Sequence, residues 1–168
     1  MTNMDYSKEM AKMVGSNEFS RLLGPDANNK IMKYSELESV NDLNDLLLPQ
    51  DYRIILIETK NNVGHWTAIT RNDNLIVWFD SYGLGPDQEF EFIPVKMQQI
   101  LDEQGKPLTK LINKWIGAAT SLPGMQGAAK NKIKINYNTI EFQQQKKGIN
   151  TCGRWVRNLI FIRIFTWI

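Results

Sequence analysis

Clusters and alternations of hydrophobic positions divide the first half of the chain into predicted elements. The apolar residues of Ser35–Leu48 recur every three or four positions, a spacing typical of an amphipathic helix. Arg53–Thr59 instead contains a continuous β-branched run, which is typical of a strand buried on both faces. His65–Thr70 and Leu75–Phe79 follow as two further strands, and the polar residues between them predict a hairpin turn.

The second half of the chain has a weaker pattern. Helical spacing or alternation predicts further elements, which are helices at Asp5–Met13, Pro94–Glu103 and Leu108–Ala119 and a strand within Lys132–Gln143. Thr151 is a suitable N-cap, so a final helix is expected to begin at Cys152 and to pack under the sheet. The order of elements predicts an α+β domain with a central antiparallel sheet flanked by helices, and excludes a doubly wound βαβ fold.

The composition fits one globular domain. Of 168 residues, 42% are hydrophobic and 23% are charged, close to the average of globular proteins. We expect a single domain over residues 1–168, with residues 1–25 as a candidate peripheral arm. The N-terminus lacks an apolar stretch of signal-peptide length, and no uncharged run is long enough to span a membrane, so we expect neither secretion nor a membrane partner. A net charge of +2 is too small to make nucleic acid the main partner.

One cysteine and one histidine carry the candidate chemistry. Cys152 is the only cysteine and His65 is the only histidine of the chain. A thiolate nucleophile needs a neighbouring base, so this pair outlines a cysteine hydrolase. The helix start favours the thiolate at Cys152, and Gly153 leaves room beside it for a substrate backbone. Taken singly, each residue has a structural alternative, an inert buried cysteine and a satisfied histidine.

Asp80 is the third candidate. It ends the strand that follows the strand of His65, so the two side chains are expected side by side. A carboxylate there would orient the imidazole and stabilise its charged form. Taken alone, Asp80 would be a turn residue at a strand end. One histidine and one cysteine cannot make a conventional zinc site without several carboxylates, so we expect no metal and no cofactor.

Four motifs occur in a fixed order along the chain. They are Gly64-His65-Trp66, Phe79-Asp80-Ser81-Tyr82-Gly83, a glutamine-rich segment and Thr151-Cys152-Gly153-Arg154. In this order they resemble the adenovirus-protease and SUMO-protease class of cysteine peptidases. The likeness runs from about Ser35 to the C-terminus and is strongest to the short proteases of viruses, virophages and virus-like mobile elements. It implies a papain-like fold in permuted order, with the histidine before the cysteine and the nucleophile at the N-terminus of a buried helix.

The resemblance implies a role for each residue of the site. Cys152 would be the nucleophile, His65 the general base and later the general acid, and Asp80 the orienting carboxylate. A glutamine side chain, with the backbone amide of the cysteine, would stabilise the oxyanion. Gln143 is the first candidate because its context, with glutamine closing a strand, resembles the virus-element versions. Gln145 is the second, because its spacing from Cys152 resembles that of the adenovirus enzyme.

The resemblance also implies a substrate class. Trp66 and Gly153 would bind substrate, with Trp66 roofing a narrow channel that favours glycine or a small residue before the scissile bond. We expect a cysteine endopeptidase that matures capsid or other virion precursors, in the virion or in the virus factory of the host cytoplasm. The alternatives are an isopeptidase for ubiquitin or SUMO, an acetyltransferase on the same triad and a catalytically silent binding module. The need for a peptide or nucleic-acid activator stays open.

Overall fold

The structure is a computed structural model that contains both helices and strands and describes residues 14–48, 51–60, 62–88, 95, 105–121, 134–144 and 150–166. In chain order the described elements are α1 (Ser16–Leu23), a 3₁₀ helix (Pro25–Lys30), β1 (Ile31–Lys33), a second 3₁₀ helix (Tyr34–Ser39), α2 (Leu43–Leu47), β2 (Tyr52–Lys60), β3 (Val63–Asn72), β4 (Leu75–Asp80), α3 (Pro107–Ser121), β5 (Lys134–Tyr137) and α4 (Cys152–Thr166). The predicted α+β class is confirmed.

Five described strands form one mixed sheet in the order β1-β2-β3-β4-β5. Hairpins join β2, β3 and β4, which pair antiparallel as predicted. The two edge strands, β1 and β5, instead pair parallel with β2 and β4. The prediction of an antiparallel sheet was therefore wrong at both edges. Long connections that contain helices reach these edges, and a crossover of a dozen or more residues permits parallel pairing.

The sheet buries side chains on both faces, as the β-branched run of β2 predicted. Ile55 and Ile57 lie in one hydrophobic cluster, together with the buried residues of α2 and α3. Ile54 and Leu56 lie in a second cluster with side chains from α1 and α4. Alternate residues of a strand point to opposite faces, so helices cover the sheet on both sides.

The predicted helix Ser35–Leu48 is two short helices. The break lies at Asp42, whose carboxylate accepts hydrogen bonds from the backbone N–H groups of Asn44 and Asp45 at 2.7 and 3.1 Å. This N-cap starts α2 afresh. The apolar spacing correctly indicated burial, since Leu37 and the leucines of α2 are buried, but it did not require a continuous helix.

The other predicted helices and the predicted strand within Lys132–Gln143 have different outcomes. Helix α3 and the start of α4 at Cys152 are confirmed, and β5 is shorter than the predicted strand. Phe161 and Ile162 of α4 are 38% and 56% exposed, so the helix that was predicted to be buried has an exposed apolar face. The predicted helix Asp5–Met13, and all of Pro94–Glu103 except the helical Val95, lie outside the described residues. None of the described helices has the length and apolarity needed to cross a bilayer.

Candidate active site

The β3–β4 pairing brings His65 and Asp80 together. Thr67 lies opposite Asp80 in the register, and His65 lies two residues before Thr67 on the same face of the strand. His65 Nε2 is 3.1 Å from Asp80 Oδ1. The His65 side chain is 11% exposed, and the Asp80 side chain is fully buried. The two residues therefore form a buried acid–base pair at the end of the hairpin.

A close approach of two backbones fixes the start of β3 beside His65. An added Cβ on Gly64 would lie 1.9 Å from the carbonyl oxygen of Ile57 on β2. Real Cβ atoms do not come so close to a backbone oxygen, so only glycine fits at this position. Gly64 therefore sets how closely β2 and β3 approach at the residue before the imidazole.

Asp80 is held from two directions. Its Oδ1 also accepts a hydrogen bond from the backbone N–H of Tyr82 at 2.6 Å. The side chain of Asn138 pairs with the backbone of Asp80. Asp80 Oδ2 is buried and has no hydrogen-bond partner among the described residues. A buried carboxylate of this kind needs a positive partner, which a protonated His65 supplies.

Cys152 lies at the first position of α4 beside Trp66. The thiol is almost fully buried, and burial alone raises its pKa. The hydrogen bond and charge of His65, with the backbone N–H groups of Trp66 and Gly153, act in the opposite direction and prevail, so the net pKa of Cys152 is lowered. The site therefore favours a thiolate.

The same interactions act on His65. Burial alone lowers its pKa, but the hydrogen bond to Asp80, the neighbouring Cys152 thiol and the charges of both groups raise the pKa of His65 to about 10. With Nε2 beside Asp80, the buried Nδ1 is the ring atom left for Cys152, and it makes no close hydrogen bond within the described residues. The Cys152 contact is thus looser than the Asp80 contact, and such contacts commonly tighten when a ligand binds. The lowered pKa of Cys152 and the raised pKa of His65 both favour the thiolate–imidazolium form of the pair.

Gln143 connects the Asp80 turn with the start of α4. It is 3% exposed, and its Oε1 accepts a hydrogen bond from the Thr151 hydroxyl at 3.0 Å. Its Nε2 donates to the Tyr82 hydroxyl at 3.1 Å, and its backbone N–H donates to the Ser81 carbonyl oxygen at 3.0 Å. The structure therefore places Gln143 beside the residue that precedes Cys152. The alternative, Gln145, lies outside the described residues.

Sequence reasoning gave no role to two residues that shape the site. Tyr82 stacks on His65 with ring centroids 4.5 Å apart and planes 27° from parallel. Asn138, just after β5, pairs with the Asp80 backbone. Tyr82 belongs to the motif Phe79-Asp80-Ser81-Tyr82-Gly83, and that position beside Asp80 is the sequence signal that could have identified it. Nothing local to Asn138 indicated its partner, which lies 58 residues away in the chain.

The surface beside the site has an apolar cavity. Its volume is about 410 Å³, and Phe142, Gln143, Thr151 and Trp155 contribute to its lining. The Phe142 and Trp155 rings lie 5.1 Å apart, and both are partly exposed. Within the described part of the chain, no three His, Cys, Asp or Glu side chains group as a metal site requires.

Trp66 and Gly153, the two predicted substrate-binding residues, lie side by side. An added Cβ on Gly153 would be 3.0 Å from Trp66 Cδ1 and 2.6 Å from Val14 Cβ. Trp66 is buried, and its indole N–H donates to the Val14 carbonyl oxygen at 2.9 Å. Trp66, Gly153 and Val14 therefore meet next to Cys152.

Comparison with known proteins gives one informative similarity. No model of a known protein family matches the chain. The chain is 31% identical over 131 residues to the "Uncharacterized protein V9" of Sputnik virophage. The match covers 77% of this chain and 66% of that protein, so the chain spans just under two thirds of its relative's length. Across most of its length, this chain is therefore similar to a virophage protein.

Proposed function

We propose that the protein is a cysteine peptidase of the adenovirus-protease and SUMO-protease class. The observation that carries the proposal is the meeting of the only cysteine and the only histidine of the chain in one buried site. Asp80 binds Nε2 of His65, which leaves Nδ1 for Cys152. This is the order of groups that a thiol nucleophile, its base and an orienting carboxylate require.

The arrangement of layers supports a papain-like fold in permuted order. The nucleophile begins a helix on one face of the sheet, while base and carboxylate come from adjacent strand ends. The histidine precedes the cysteine in the chain. Each group therefore sits on a regular element, which holds a catalytic constellation more firmly than a loop does.

Acyl transfer follows from this geometry. The Cys152 thiolate attacks the peptide carbonyl carbon, and the π electrons of the carbonyl move onto its oxygen. The His65 imidazolium then gives its Nδ1 proton to the departing amine as the C–N bond breaks. Water, deprotonated by His65, attacks the thioester and releases the acid and the thiolate. Asp80 holds Nε2 and stabilises the imidazolium throughout.

Gln143 is proposed as the side-chain donor to the oxyanion. Its Nε2 is a hydrogen-bond donor and binds the hydroxyl of Tyr82, whose ring stacks on His65. The Thr151 hydroxyl anchors the amide oxygen, so the amide is oriented before substrate arrives. The backbone N–H of Cys152 would complete the pair of donors. Gln145 remains the alternative donor.

Virion precursor proteins are the proposed substrates. The similarity to a virophage protein supports a viral setting. The tight packing of Trp66 on Gly153 supports a channel that admits glycine or another small residue before the cut. Cleavage of ubiquitin-like conjugates is the alternative activity of the same site.

The test compares the wild type with Cys152→Ala on both substrate groups. Candidate virion precursors and ubiquitin-like conjugates are incubated with each protein, and the products are read by mass spectrometry. We expect wild type to cleave precursors and Cys152→Ala to cleave nothing. Asp80→Asn, which removes the orienting carboxylate, should cleave precursors more slowly than wild type, and Asp45→Asn, at an exposed carboxylate, is its matched control. Cleavage that persists in Cys152→Ala would overturn the thiol mechanism, and cleavage of conjugates alone would overturn the maturation role.

A further inference from the structure

The apolar cavity beside the candidate site adjoins the residue that precedes the thiol. Thr151 and Gln143, the proposed oxyanion donor, line it. Phe142 and Trp155 also line it, and they are 41% and 37% exposed. Its volume of about 410 Å³ lies within the range of pockets that bind ligands. The cavity therefore has room for a bulky side chain next to Cys152.

The aromatic side of the cavity is held in place from the core. The Phe142 ring lies 5.1 Å from the Trp155 ring and 5.8 Å from the Phe79 ring, measured between centroids. Phe79 is buried in the same hydrophobic cluster as the buried residues of α4. The backbone N–H of Phe142 donates to the Ser81 carbonyl oxygen at 2.8 Å. The two partly exposed rings are therefore fixed before a ligand arrives, which lowers the entropy cost of binding an apolar group.

The cavity and the Trp66–Gly153 cleft lie on opposite sides of α4. An added Cβ on Gly153 would approach Trp66. Trp155 follows two positions later, and two residues of an α-helix turn through about 200°. Trp155 and Asn158, which are three residues apart and share one side of the helix, both line the cavity. The start of α4, which carries Cys152, therefore separates the cleft from the cavity.

We propose that the cavity is a substrate subsite for a large aromatic or aliphatic side chain on the leaving-group side of the scissile bond. The inference rests on the proposed function, in which the Trp66–Gly153 cleft takes the small residue before the cut. A substrate that passes Cys152 in extended form carries the residues after the cut to the other side of the thiol. The rings of Phe142 and Trp155 favour an apolar side chain there, since its burial removes apolar surface from water. The preferred precursors therefore have a small residue before the cut and a large apolar residue within the first two positions after it.

The first experiment measures binding without hydrolysis. The indole N–H signals of ¹⁵N-labelled wild type are followed by NMR during titration with phenylalaninamide and, as a control, with glycinamide, which lacks the ring. Trp155→Phe keeps a ring and identifies the Trp155 signal. We expect phenylalaninamide alone to shift that signal. The Trp78 indole, which donates to the Leu84 carbonyl oxygen and lies in the opposite hydrophobic cluster, should not respond. A Trp155 signal that phenylalaninamide does not move would overturn the proposal.

The second experiment measures whether the cavity selects substrate. Two peptides differ only in the two residues that follow a Gly-Gly pair, which are both phenylalanine in one peptide and both serine in the other. We expect wild type to cleave the phenylalanine peptide with a kcat/KM about tenfold higher, as for partial burial of one apolar side chain. Trp155→Ala should lower this ratio to about one. Phe161→Ala, which removes a ring of similar exposure farther along α4, is the matched control and should keep the wild-type ratio.

The outcomes separate the cavity from the catalytic proposal. Equal cleavage of both peptides by wild type, or a preference that survives in Trp155→Ala, would overturn the subsite and leave the peptidase standing. Failure of wild type to cleave either peptide or any precursor would overturn the peptidase and the substrate role of the cavity with it. The titration then still decides whether the cavity binds an apolar side chain. It uses wild type and a ring-for-ring exchange, so it stays decisive even if Trp155→Ala does not fold.

Discussion

The side-chain amide of Asn138 pairs with both backbone groups of Asp80. The Asp80 N–H donates to Asn138 Oδ1 at 3.0 Å, and Asn138 Nδ2 donates to the Asp80 carbonyl oxygen. Asn138 directly follows β5, whose pairing with β4 ends at Trp78 and Tyr137. The asparagine therefore extends the β4–β5 ladder with a side chain and holds the strand end that carries the carboxylate.

Asn138→Ala should lower kcat about tenfold and leave KM nearly unchanged. The change strips two backbone groups of their partner, which costs roughly 1–3 kcal/mol for buried groups and lets Asp80 move away from His65. Steady-state kinetics on a cleaved precursor peptide would measure this. Asn136→Ala, at an exposed asparagine within β5, is the matched control. An unchanged kcat in Asn138→Ala would show that Asp80 is oriented without it.

The charges of the site should make stability depend on pH in a defined direction. His65 has its pKa raised from 6.5 to about 10, so its contribution to stability is complete below pH 6.5 and is lost as pH rises through about 10. Cys152 has its pKa lowered from 9.0, so its contribution is present above pH 9 and is lost as pH falls through its folded pKa. The ion pair is therefore most populated between the two folded values.

Urea unfolding of wild type and His65→Gln at several pH values checks this dependence. We expect the stability advantage of wild type to shrink between neutral pH and pH values above about 10. Thiolate absorbance should appear at lower pH in wild type than in His65→Gln, because the interactions with His65 lower the pKa of Cys152. A stability difference that grows with alkaline pH would contradict the raised pKa of His65.

Exchange of single glutamines should identify the oxyanion donor. Gln143→Ala is expected to lower kcat by about two orders of magnitude or more, as for loss of one such donor, whereas Gln145→Ala should have little effect. Alkylation of Cys152 controls for damage to the thiol site, since an oxyanion donor is not needed for that reaction. If the Cys152 alkylation rate were unchanged in both variants and only Gln145→Ala showed a large loss of kcat, Gln145 would be the oxyanion donor.

Asp87 should contribute strongly to stability from outside the site. Its Oδ1 accepts hydrogen bonds from the Tyr34 hydroxyl and the Leu108 N–H, and its Oδ2 accepts the Thr109 N–H at 2.7 Å. It is buried and caps the start of α3. Asp87→Ala leaves these donors unpaired, so we expect a loss of about 2–4 kcal/mol in the free energy of unfolding. Urea denaturation measures the free energy of unfolding, and Asp45→Ala, at an exposed position, is the control. An equally small loss of stability in both variants would refute the capping role.

Local patterns predicted the parts of the site that a hairpin builds. His65 and Asp80 lie on strands joined by one turn, so alternation and turn residues were enough to predict their contact. The start of α4 followed from Thr151, whose carbonyl accepts the first helical hydrogen bonds of Arg154 and Trp155. These features depend on neighbouring residues, and the sequence therefore contains their signal.

Contacts between distant segments had no such signal. The parallel addition of β5 to β4 depends on how a long connection folds back, which hydrophobic alternation does not encode. In Ser35–Leu48 the apolar spacing correctly indicated the buried side. The Asp42 carboxylate accepts hydrogen bonds from backbone N–H groups, which starts a new helix and divides the predicted one. The carbonyl oxygen of Val14 accepts a hydrogen bond from the Trp66 indole, and every residue has such a carbonyl, so the sequence does not indicate this contact.

The chain distances of these contacts determine when the site forms. The His65–Asp80 contact closes 15 residues, whereas the contacts of Asp80 with Asn138 and of Tyr82 with Gln143 close 58 and 61. Short loops close at a lower entropy cost than long ones, so the base and its carboxylate should meet early in folding. Cys152, the proposed nucleophile, begins α4, the last described helix, so it is synthesised after His65, Asp80 and Gln143. A growing chain therefore cannot bring these four residues together until the start of α4 has emerged.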